Sequence, residues 1–439
     1  MQFPNLSQLT PFTVYGKVHK VSGYLIEATG LKAKVGTLCQ IDCAPLPVQA
    51  EVIGFKSDVT YLMSADELRG ILPGAEVTQL DTYAKVPIGE GLLGRVIDST
   101  GLPLDSLGEL KGIERVPLHF EPINPLQRAP IRHAMDVGVK AINGLLTLGI
   151  GQRMGLFAGT GVGKSILLGM ITQFCQADIV VISLVGERGR EVKEFIEENI
   201  GVAGLHKAVI VAAPADSSPL ARVKAAETAT FIAEYFKNKK KRVLLLMDSL
   251  TRYGQALREL GLALGEPPTN KGYPPSVFAR IPKLVERAGN GINEDSSITG
   301  IYTVLAEGDD VQDPIVDCAR GILDGHIMLT RQLAEQGHYP AIDIEQSISR
   351  VMDKVVPAEQ VQLARTFKKS YAKYQQNRDF IMIGAYQKGN DPEMDMILEK
   401  KPKLFAFLQQ DKSIHVDLKQ TADMLREFAS LAMIPVATK

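Results

Sequence analysis

Residues 154–165 read MGLFAGTGVGKS, an apolar run of strand length followed by a glycine-rich loop. Gly159, Gly161 and Gly163 allow the backbone to bend so that successive N–H groups point at phosphate oxygens, and the start of the following helix adds its dipole. Ala158 stands where the strict motif has its first glycine, a small residue that a tight turn accepts. The spacing predicts a phosphate-binding loop for ATP, formed by Gly159, Thr160, Gly161, Val162, Gly163, Lys164 and Ser165. We expect Lys164 to reach the β- and γ-phosphates and Ser165 to ligate Mg²⁺.

Outward from this loop, apolar strand-like runs alternate with segments of helical periodicity. The runs IVVISLV, AVIVAAP and VLLLM are separated by predicted helices near residues 164–175, 191–199 and 220–236. Near-continuous apolar strands between amphipathic helices are typical of a parallel sheet that is covered on both faces. The middle of the chain is therefore predicted to be a doubly wound α/β domain.

Two carboxylates follow strands of this predicted sheet. Asp248 ends the run VLLLM, and Glu187 follows IVVISLV within GERGRE. Because ligands of open parallel sheets collect at the carboxyl ends of the strands, both side chains are expected beside the phosphate loop. Asp248 is predicted to hold Mg²⁺, with a helix cap as the alternative, and Glu187 to orient and polarise the attacking water. Arg188 and Arg190 are expected to pair either with phosphate or with carboxylates such as Glu191.

The flanking regions have different patterns. Short β-branched runs punctuated by glycine before residue 84 predict a small β-barrel or sandwich, and helical spacing with few β-branched runs predicts helices from about residue 356 onward. Residues 85–148 are rich in Gly and Pro and predict turns and irregular connections. We predict three units: an N-terminal barrel over residues 1–83, a nucleotide-binding domain over 84–352, and a helical domain over 353–439.

The composition excludes several classes of protein. The chain has 439 residues, and 49 Lys+Arg against 50 Asp+Glu give a formal net charge of −1. With 45% apolar residues, this is ordinary globular composition, not that of a disordered, collagen-like or coiled-coil protein. Near neutrality and 6% aromatic residues give no support to nucleic-acid binding. The four cysteines form no CxxC pair and the histidines have no zinc-binding spacing, so reduced thiols and no zinc are expected. No signal peptide or membrane span is visible, which predicts a soluble intracellular protein.

Several longer motifs, which occur in the same order as in a known family, indicate a family resemblance. AGTGVGKS, GERGRE, LLLMDSLTRY, GYPPSVFARIPKLVERAG, YTVLAEGDDVQDP and HYPAIDIEQSISR together resemble the catalytic subunits of rotary ATP synthases and the type III secretion ATPases. PIRHAMDVGVKAINGLLTLGIGQRMGLFAG and IGAYQKGNDPEMD look most like the flagellar export branch, with the injectisome branch as its near neighbour. The resemblance implies a RecA-like P-loop core and a Mg²⁺-dependent ATPase that energises protein export.

Further site residues follow from the resemblance alone. Arg350 of SISR matches the finger that reaches the γ-phosphate bound by the adjacent subunit, and Tyr339 of HYPAID matches the aromatic residue that packs on adenine. Arg252 and Glu307 match residues that support the magnesium and water network. Catalysis is thus assigned to Glu187, Lys164, Arg188, Arg350 and Asp248.

The resemblance also implies partners and a location. It implies a homohexamer with interfacial sites, a cytoplasmic location at the inner membrane, and membrane association only through the export apparatus. Expected partners are a central stalk protein facing residues 265–275, the export stator or regulator, the export gate, and export substrates with their chaperones. Flagellar members of the family often carry a regulator-binding helix before the barrel, whereas about a dozen residues precede VYGKV here. We therefore expect either a different mode of regulator binding or a chain that starts short of this helix.

Two competing functions have their own discriminators. A ring-shaped nucleic-acid translocase would require a basic or aromatic binding face in the N-terminal domain, and the sequence of this domain contains no aromatic cluster. A non-catalytic nucleotide-binding ring subunit would lack the water-polarising carboxylate, which is present here as Glu187. A rotary ATP synthase-type subunit is a further alternative.

Overall fold

The computed structural model describes residues 15–66, 68–118, 123–293, 295–305 and 313–430. Among these residues, no helix combines the length and the apolar character that a membrane crossing requires. Three structural parts follow one another along the chain: a barrel, an α/β sheet domain and a group of helices. The limits 1–83, 84–352 and 353–439 remain a prediction.

The N-terminal part is a closed β-barrel, as its short alternating runs predict. Its strands are connected in the order β1-β2-β5-β4-β3-β6. Ile26, Ile41, Val52 and Leu62 are fully buried inside the barrel, and most positions next to them are exposed or half-buried, which is the alternation of a sheet with one dry face. Two neighbours on the other face, Leu25 and Met63, are buried in the core of the central domain instead. The strands are β1 (Tyr15–Ser22), β2 (Leu25–Thr29), β3 (Thr37–Ile41), β4 (Val48–Lys56), β5 (Val59–Met63) and β6 (Glu76–Tyr83).

Short elements lead from the barrel into the central domain, in the segment where Gly and Pro predict turns. One of them, β8, joins the edge of the central sheet by pairing with Ile210 and Val211. The elements are β7 (Lys85–Ile88), β8 (Val96–Ile97), β9 (Glu114–Pro117), β10 (Ala134–Met135), α1 (Lys140–Leu145) and β11 (Leu148–Gly149).

The central sheet is mostly parallel, which confirms the predicted fold class. Its order is β19-β18-β12-β17-β15-β13-β14-β8; β19 runs antiparallel to β18, and β16 pairs with β17. The strand that carries the phosphate loop, β12, is separated from the strand that carries Asp248, β15, only by β17. The strands are β12 (Arg153–Ala158), β13 (Ile179–Val185), β14 (Ala208–Ala213), β15 (Arg242–Asp248), β16 (Gly289–Asn290), β17 (Ser297–Leu305), β18 (Gly325–Leu329) and β19 (Ile342–Ser349).

Helices cover both faces of this sheet, and β13 shows why its sequence is apolar throughout. Val180, Ile182 and Leu184 belong to the core on one face, while Val181 and Val185 belong to the core on the other. The predicted helix over 191–199 is in fact α3 followed by a π-helix, Phe195–Ile200. The helices are α2 (Lys164–Phe174), α3 (Gly189–Glu194), α4 (Gly201–Leu205), α5 (Pro219–Asn238), α6 (Leu250–Ala263), α7 (Pro275–Val285), α8 (Pro314–Ile322), α9 (Arg331–Glu335) and α10 (Met352–Val355).

The C-terminal helices are α11 (Ala358–Met382), α12 (Pro392–Leu408) and α13 (Leu418–Ser430). They pack on the same sheet face as α1 and α2, where Phe367 and Phe407 lie with ring centroids 4.9 Å apart. The Lys140 ammonium of α1 donates to the carbonyl of Ala406 at 2.6 Å. The helical part is therefore packed directly against the nucleotide-binding domain.

Candidate active site

The phosphate loop connects β12 to α2. Gly161 and Gly163 have φ values of +77° and +86°, a left-handed conformation that side chains rarely adopt and that glycine adopts freely. The Val162 side chain is buried in the core, so only its backbone faces the loop, whereas Ser165 is exposed in the first turn of α2. This geometry provides backbone N–H groups and a helix N-terminus for an anion, as the motif predicts.

Lys164 joins the loop to both predicted carboxylates. Its Nζ donates to Oδ1 of Asp248 at 2.7 Å and to Oε1 of Glu187 at 3.2 Å. All three side chains are 16% exposed or less. Burial lowers the pKa of Lys164, but the charges of Asp248 and Glu187 outweigh this effect, and the pKa is raised overall. The structure thus brings the three predicted groups together, with the lysine charged.

Asp248 has a second donor that sequence reasoning missed. The Thr303 hydroxyl of β17 donates to Oδ1 of Asp248 at 2.6 Å. Thr303 is fully buried near the carboxyl end of its strand. The available sequence signal was a hydroxyl residue within the apolar run YTVL, on the strand between the two that carry the site.

Glu187 is held at the carboxyl end of β13 by its backbone. Gly186, with φ +72°, makes the turn, and the carbonyl of Glu187 accepts a hydrogen bond from the N–H of Ala215 at 3.0 Å. Burial, followed by the nearby charge of Asp248, raises the pKa of Glu187 to about 7, although Lys164 acts in the opposite direction. A carboxylate with this pKa is able to exchange a proton near neutral pH.

Three arginines surround Glu187 in different ways. The side chain of Arg252 lies beside Gly186, with its Nε buried and without a hydrogen-bond partner among the described residues. Arg188 and Arg190, in contrast, are 79% and 77% exposed and pair with Glu191 and Glu194 at 3.4 and 3.3 Å. The structure therefore places Arg252 at the site and directs Arg188 and Arg190 to solvent and to carboxylates of their own helix.

Tyr339 lies next to the phosphate loop. A Cβ built on Gly163 would be 3.4 Å from Cδ1 and Cε1 of the Tyr339 ring, and the tyrosine is 45% exposed. Its carbonyl accepts a hydrogen bond from the N–H of Gln410 at 3.0 Å, which connects this position to the end of α12. An exposed aromatic ring beside the loop provides a surface on which a base can stack.

Arg350 is not brought to this cluster. Its backbone N–H donates to the carbonyl of Asp324 at 3.0 Å, and its guanidinium donates to the carbonyls of Leu323 and Arg320 at 3.3 and 3.4 Å. Gly325, adjacent to Asp324, begins β18, whereas the phosphate loop follows the opposite end of the neighbouring β12. Arg350 is exposed at that far edge of the sheet.

Glu307, which the resemblance placed near the nucleotide, lies outside the described residues. Within the described ranges, no group of three or more His, Cys, Asp or Glu side chains could hold a metal ion. The site is thus not a metal cage built from side chains alone.

Both the sheet domain and the C-terminal helices are similar to known protein families. Residues 138–349 match the ATP synthase alpha/beta family, nucleotide-binding domain, and residues 356–427 match the T3SS EscN ATPase C-terminal domain. The flagellum-specific ATP synthase of Pseudomonas aeruginosa is 56% identical over 401 residues, which are 90% of this chain and 89% of that protein. The chain belongs to the family of flagellar and type 3 secretion ATPases.

Other members of this ATPase family are similar to the chain over most of its length. The flagellum-specific ATP synthase of Salmonella typhimurium is 53% identical, covering 90% of this chain and 89% of its own length. The type 3 secretion system ATPase of Xanthomonas euvesicatoria is 46% identical, covering 90% of each chain. The assembled ATPase EscN from the enteropathogenic E. coli type III secretion system superposes with a TM-score of 0.89 at 45% identity, covering 94% of this chain and 99% of EscN. EscN has also been solved in complex with its central stalk EscO.

Membership of this ATPase family confirms the predicted resemblance, fold class and enzyme class. The chain has the nucleotide-binding domain of the ATP synthase alpha/beta family and is an ATPase. ATP is therefore the nucleotide expected beside Lys164.

Proposed function

We propose that this ATPase hydrolyses ATP with Mg²⁺ to energise flagellar type III protein export, as a ring of six identical subunits. The observation that carries the proposal is the contact of Lys164 with both Glu187 and Asp248 beside the phosphate loop. Lys164 is the cation that binds phosphate, Glu187 is the candidate base, and Asp248 is the carboxylate that would bind the metal.

The residues present fit Mg²⁺. Oδ2 of Asp248 has no hydrogen-bond partner among the described residues, and the Ser165 hydroxyl is exposed in the adjacent turn. Mg²⁺ usually keeps several waters and takes few protein ligands besides substrate phosphates, so a dedicated cage of side chains is not needed. Ser165 and Asp248 would hold the ion, which neutralises charge developing on the phosphates when it is bound.

Each remaining residue has a defined task in hydrolysis. Residues Gly159 to Gly163 present backbone N–H groups to the phosphates, and Lys164 pairs with the β- and γ-phosphate oxygens. Glu187 accepts a hydrogen bond from the attacking water, which orients this nucleophile in line with the leaving group. Tyr339 stacks on adenine.

The distant Arg350 acts on the site of the neighbouring subunit. An arginine that reaches the γ-phosphate in trans stabilises transition-state charge, which contributes on the order of 10³–10⁵ in rate. Its exposed position at the far edge of the sheet suits a heterologous, ring-forming interface. Arg188 joins the phosphate only if nucleotide binding redirects it from Glu191, whereas Arg252 already lies beside Gly186, the residue before Glu187.

The partners and location are also proposals. Residues 265–275, most of which connect α6 to α7, would face a central stalk. The protein would work in the cytoplasm at the cytoplasmic face of the inner membrane. It would engage an export regulator, the export gate, export substrates and their chaperones. The proposed units are the N-terminal barrel 1–83, the ATPase domain 84–352 and the helical domain 353–439.

The experiment is hydrolysis by the purified protein with Mg²⁺ or with EDTA, followed by complementation. We expect phosphate release with Mg²⁺ only, and restored motility in a strain that lacks its flagellar ATPase. An injectisome ATPase is the second candidate, since the family includes both branches. Restored secretion in an injectisome ATPase mutant without restored motility would favour it, and absence of hydrolysis would refute both.

A further inference from the structure

Thr303 occupies a distinctive place in the site. It lies on β17, the strand between β12 with its phosphate loop and β15 with Asp248. In the parallel register, Thr303 pairs with Leu156, and Met247 pairs with the preceding Tyr302. Its side chain is fully buried, so its position is fixed by strands on both sides.

The hydroxyl of Thr303 is directed at Asp248. Oγ1 is 2.6 Å from Oδ1 of Asp248 and 3.3 Å from the carbonyl of Met247. A hydroxyl has one proton to donate, and the shorter contact to a charged acceptor is the stronger one. Other buried threonines here serve the backbone instead: Thr172 and Thr230 donate to carbonyls of their own helices, at 2.8 and 2.7 Å.

The two donors to Asp248 Oδ1 differ in mobility. Lys164 has a long side chain whose charge the incoming phosphate will share, whereas Thr303 is short and fixed within the sheet. When Lys164 turns to phosphate, Thr303 is the donor that still holds Oδ1. Oδ2, which has no hydrogen-bond partner among the described residues, then stays free to accept from Mg²⁺-bound water or to bind the ion.

We propose that Thr303 is a positioning residue that orients Asp248 toward Mg²⁺ or its bound water during each turnover. This inference rests on the proposed function. Valine has nearly the shape of threonine but no proton to donate, so Thr303→Val removes this hydrogen bond to Asp248 while nearly the same volume is filled. Thr303→Ser keeps the hydroxyl and loses only a methyl group.

Thr299 provides the matched control. It lies on the same strand four residues earlier, is also buried, and accepts a hydrogen bond from the N–H of Gly151 at 2.9 Å. It is roughly 13 Å from Thr303 along the strand. Thr299→Val therefore makes the same chemical change in the same strand without touching Asp248.

The test measures ADP binding by calorimetry, with Mg²⁺ and with EDTA, alongside steady-state hydrolysis. The Mg²⁺ gain is the ratio of the dissociation constant of ADP in EDTA to that in Mg²⁺. For Thr303→Val we expect this ratio to fall about fivefold or more, while the dissociation constant in EDTA stays within about twofold of wild type. The kcat should fall about tenfold with a smaller change in KM. Thr303→Ser should restore both quantities, and Thr299→Val should retain both.

Three results would overturn the inference: a wild-type Mg²⁺ gain in Thr303→Val, no recovery in Thr303→Ser, or an equal loss in Thr299→Val. If the valine protein does not fold, Thr303→Ala replaces it, because a smaller side chain causes no clash. A wild-type protein that gains nothing from Mg²⁺ and hydrolyses no ATP would instead refute the proposed function itself. The two failures are thus distinguishable.

Discussion

Lys164 and Arg350 lie at opposite ends of the strands of the central sheet. Lys164 follows the carboxyl end of β12, whereas Arg350 bonds to Asp324, which in turn donates to the carbonyl of Arg153 at 2.8 Å, at the amino end of β12. The strand between them spans roughly 16 Å. An arginine side chain does not bridge that distance, so Arg350 is unable to assist the phosphate loop of its own chain.

This separation predicts complementation between two inactive proteins. Arg350→Ala keeps its phosphate loop and Lys164→Ala keeps its finger, so a mixed ring contains intact interfaces. Random mixing in equal amounts makes about a quarter of the interfaces intact, because each needs one defined subunit on each side. Hydrolysis is measured after the proteins are mixed, with each protein alone as the control. No recovery in rings shown to contain both proteins would contradict action in trans.

Glu187→Gln should separate binding from turnover. The amide is the same size and leaves the loop and Lys164 in place, but it is a far weaker base and carries no charge. We expect ATP to bind within a few-fold of wild type and kcat to fall about 10²–10⁴-fold. Binding is measured by calorimetry with a non-hydrolysable nucleotide. Glu194→Gln, a change later in α3 at a side chain that pairs with Arg190, is the matched control, and full hydrolysis by Glu187→Gln would remove Glu187 from the mechanism.

The raised pKa of Glu187, about 7, makes activity and stability respond to pH in opposite directions. If the carboxylate is the working form, kcat/KM should decrease as the pH falls through about 7. Glu187 stays protonated in the folded protein up to a pH of about 7, whereas its ordinary pKa is 4.5. The stability that this bound proton contributes is therefore present below pH 4.5 and is lost as the pH rises from 4.5 through about 7.

Both trends are measurable. The first needs kcat/KM at several pH values, and the second needs urea unfolding of wild type against Glu187→Gln, whose side chain does not titrate. A kcat/KM that is constant from about pH 5 to 8 would show that Glu187 does not titrate in the working enzyme.

Tyr339→Ala should weaken nucleotide binding, because a base stacked on an aromatic ring gains about 1–3 kcal/mol. We expect the dissociation constant of ATP to rise about tenfold, while Tyr339→Phe stays within about twofold because the ring remains. Calorimetry with a non-hydrolysable nucleotide measures both variants. Equal affinities for alanine and wild type would place adenine elsewhere.

Much of the site was predictable because its chemistry is local in sequence. Gly161 and Gly163 adopt a left-handed backbone and Lys164 follows them directly, while Glu187 and Asp248 follow apolar runs that are typical of buried parallel strands. Thr303 was not predicted, since a threonine in an apolar run gives no indication of which carboxylate it faces. For Arg188 and Arg190 the sequence left phosphate and carboxylate partners open, and the structure pairs them with Glu191 and Glu194 along their own helix.

The sequence by itself determined the order of barrel, parallel sheet and helices, because hydrophobic periodicity and glycine conformation act over a few residues. Only the tertiary structure decided that β17 lies between β12 and β15, which brings Thr303 to Asp248. It also decided that Arg350 lies across the sheet from Lys164. Strand order and strand direction are set by packing between distant segments, and they determine which charges share a site.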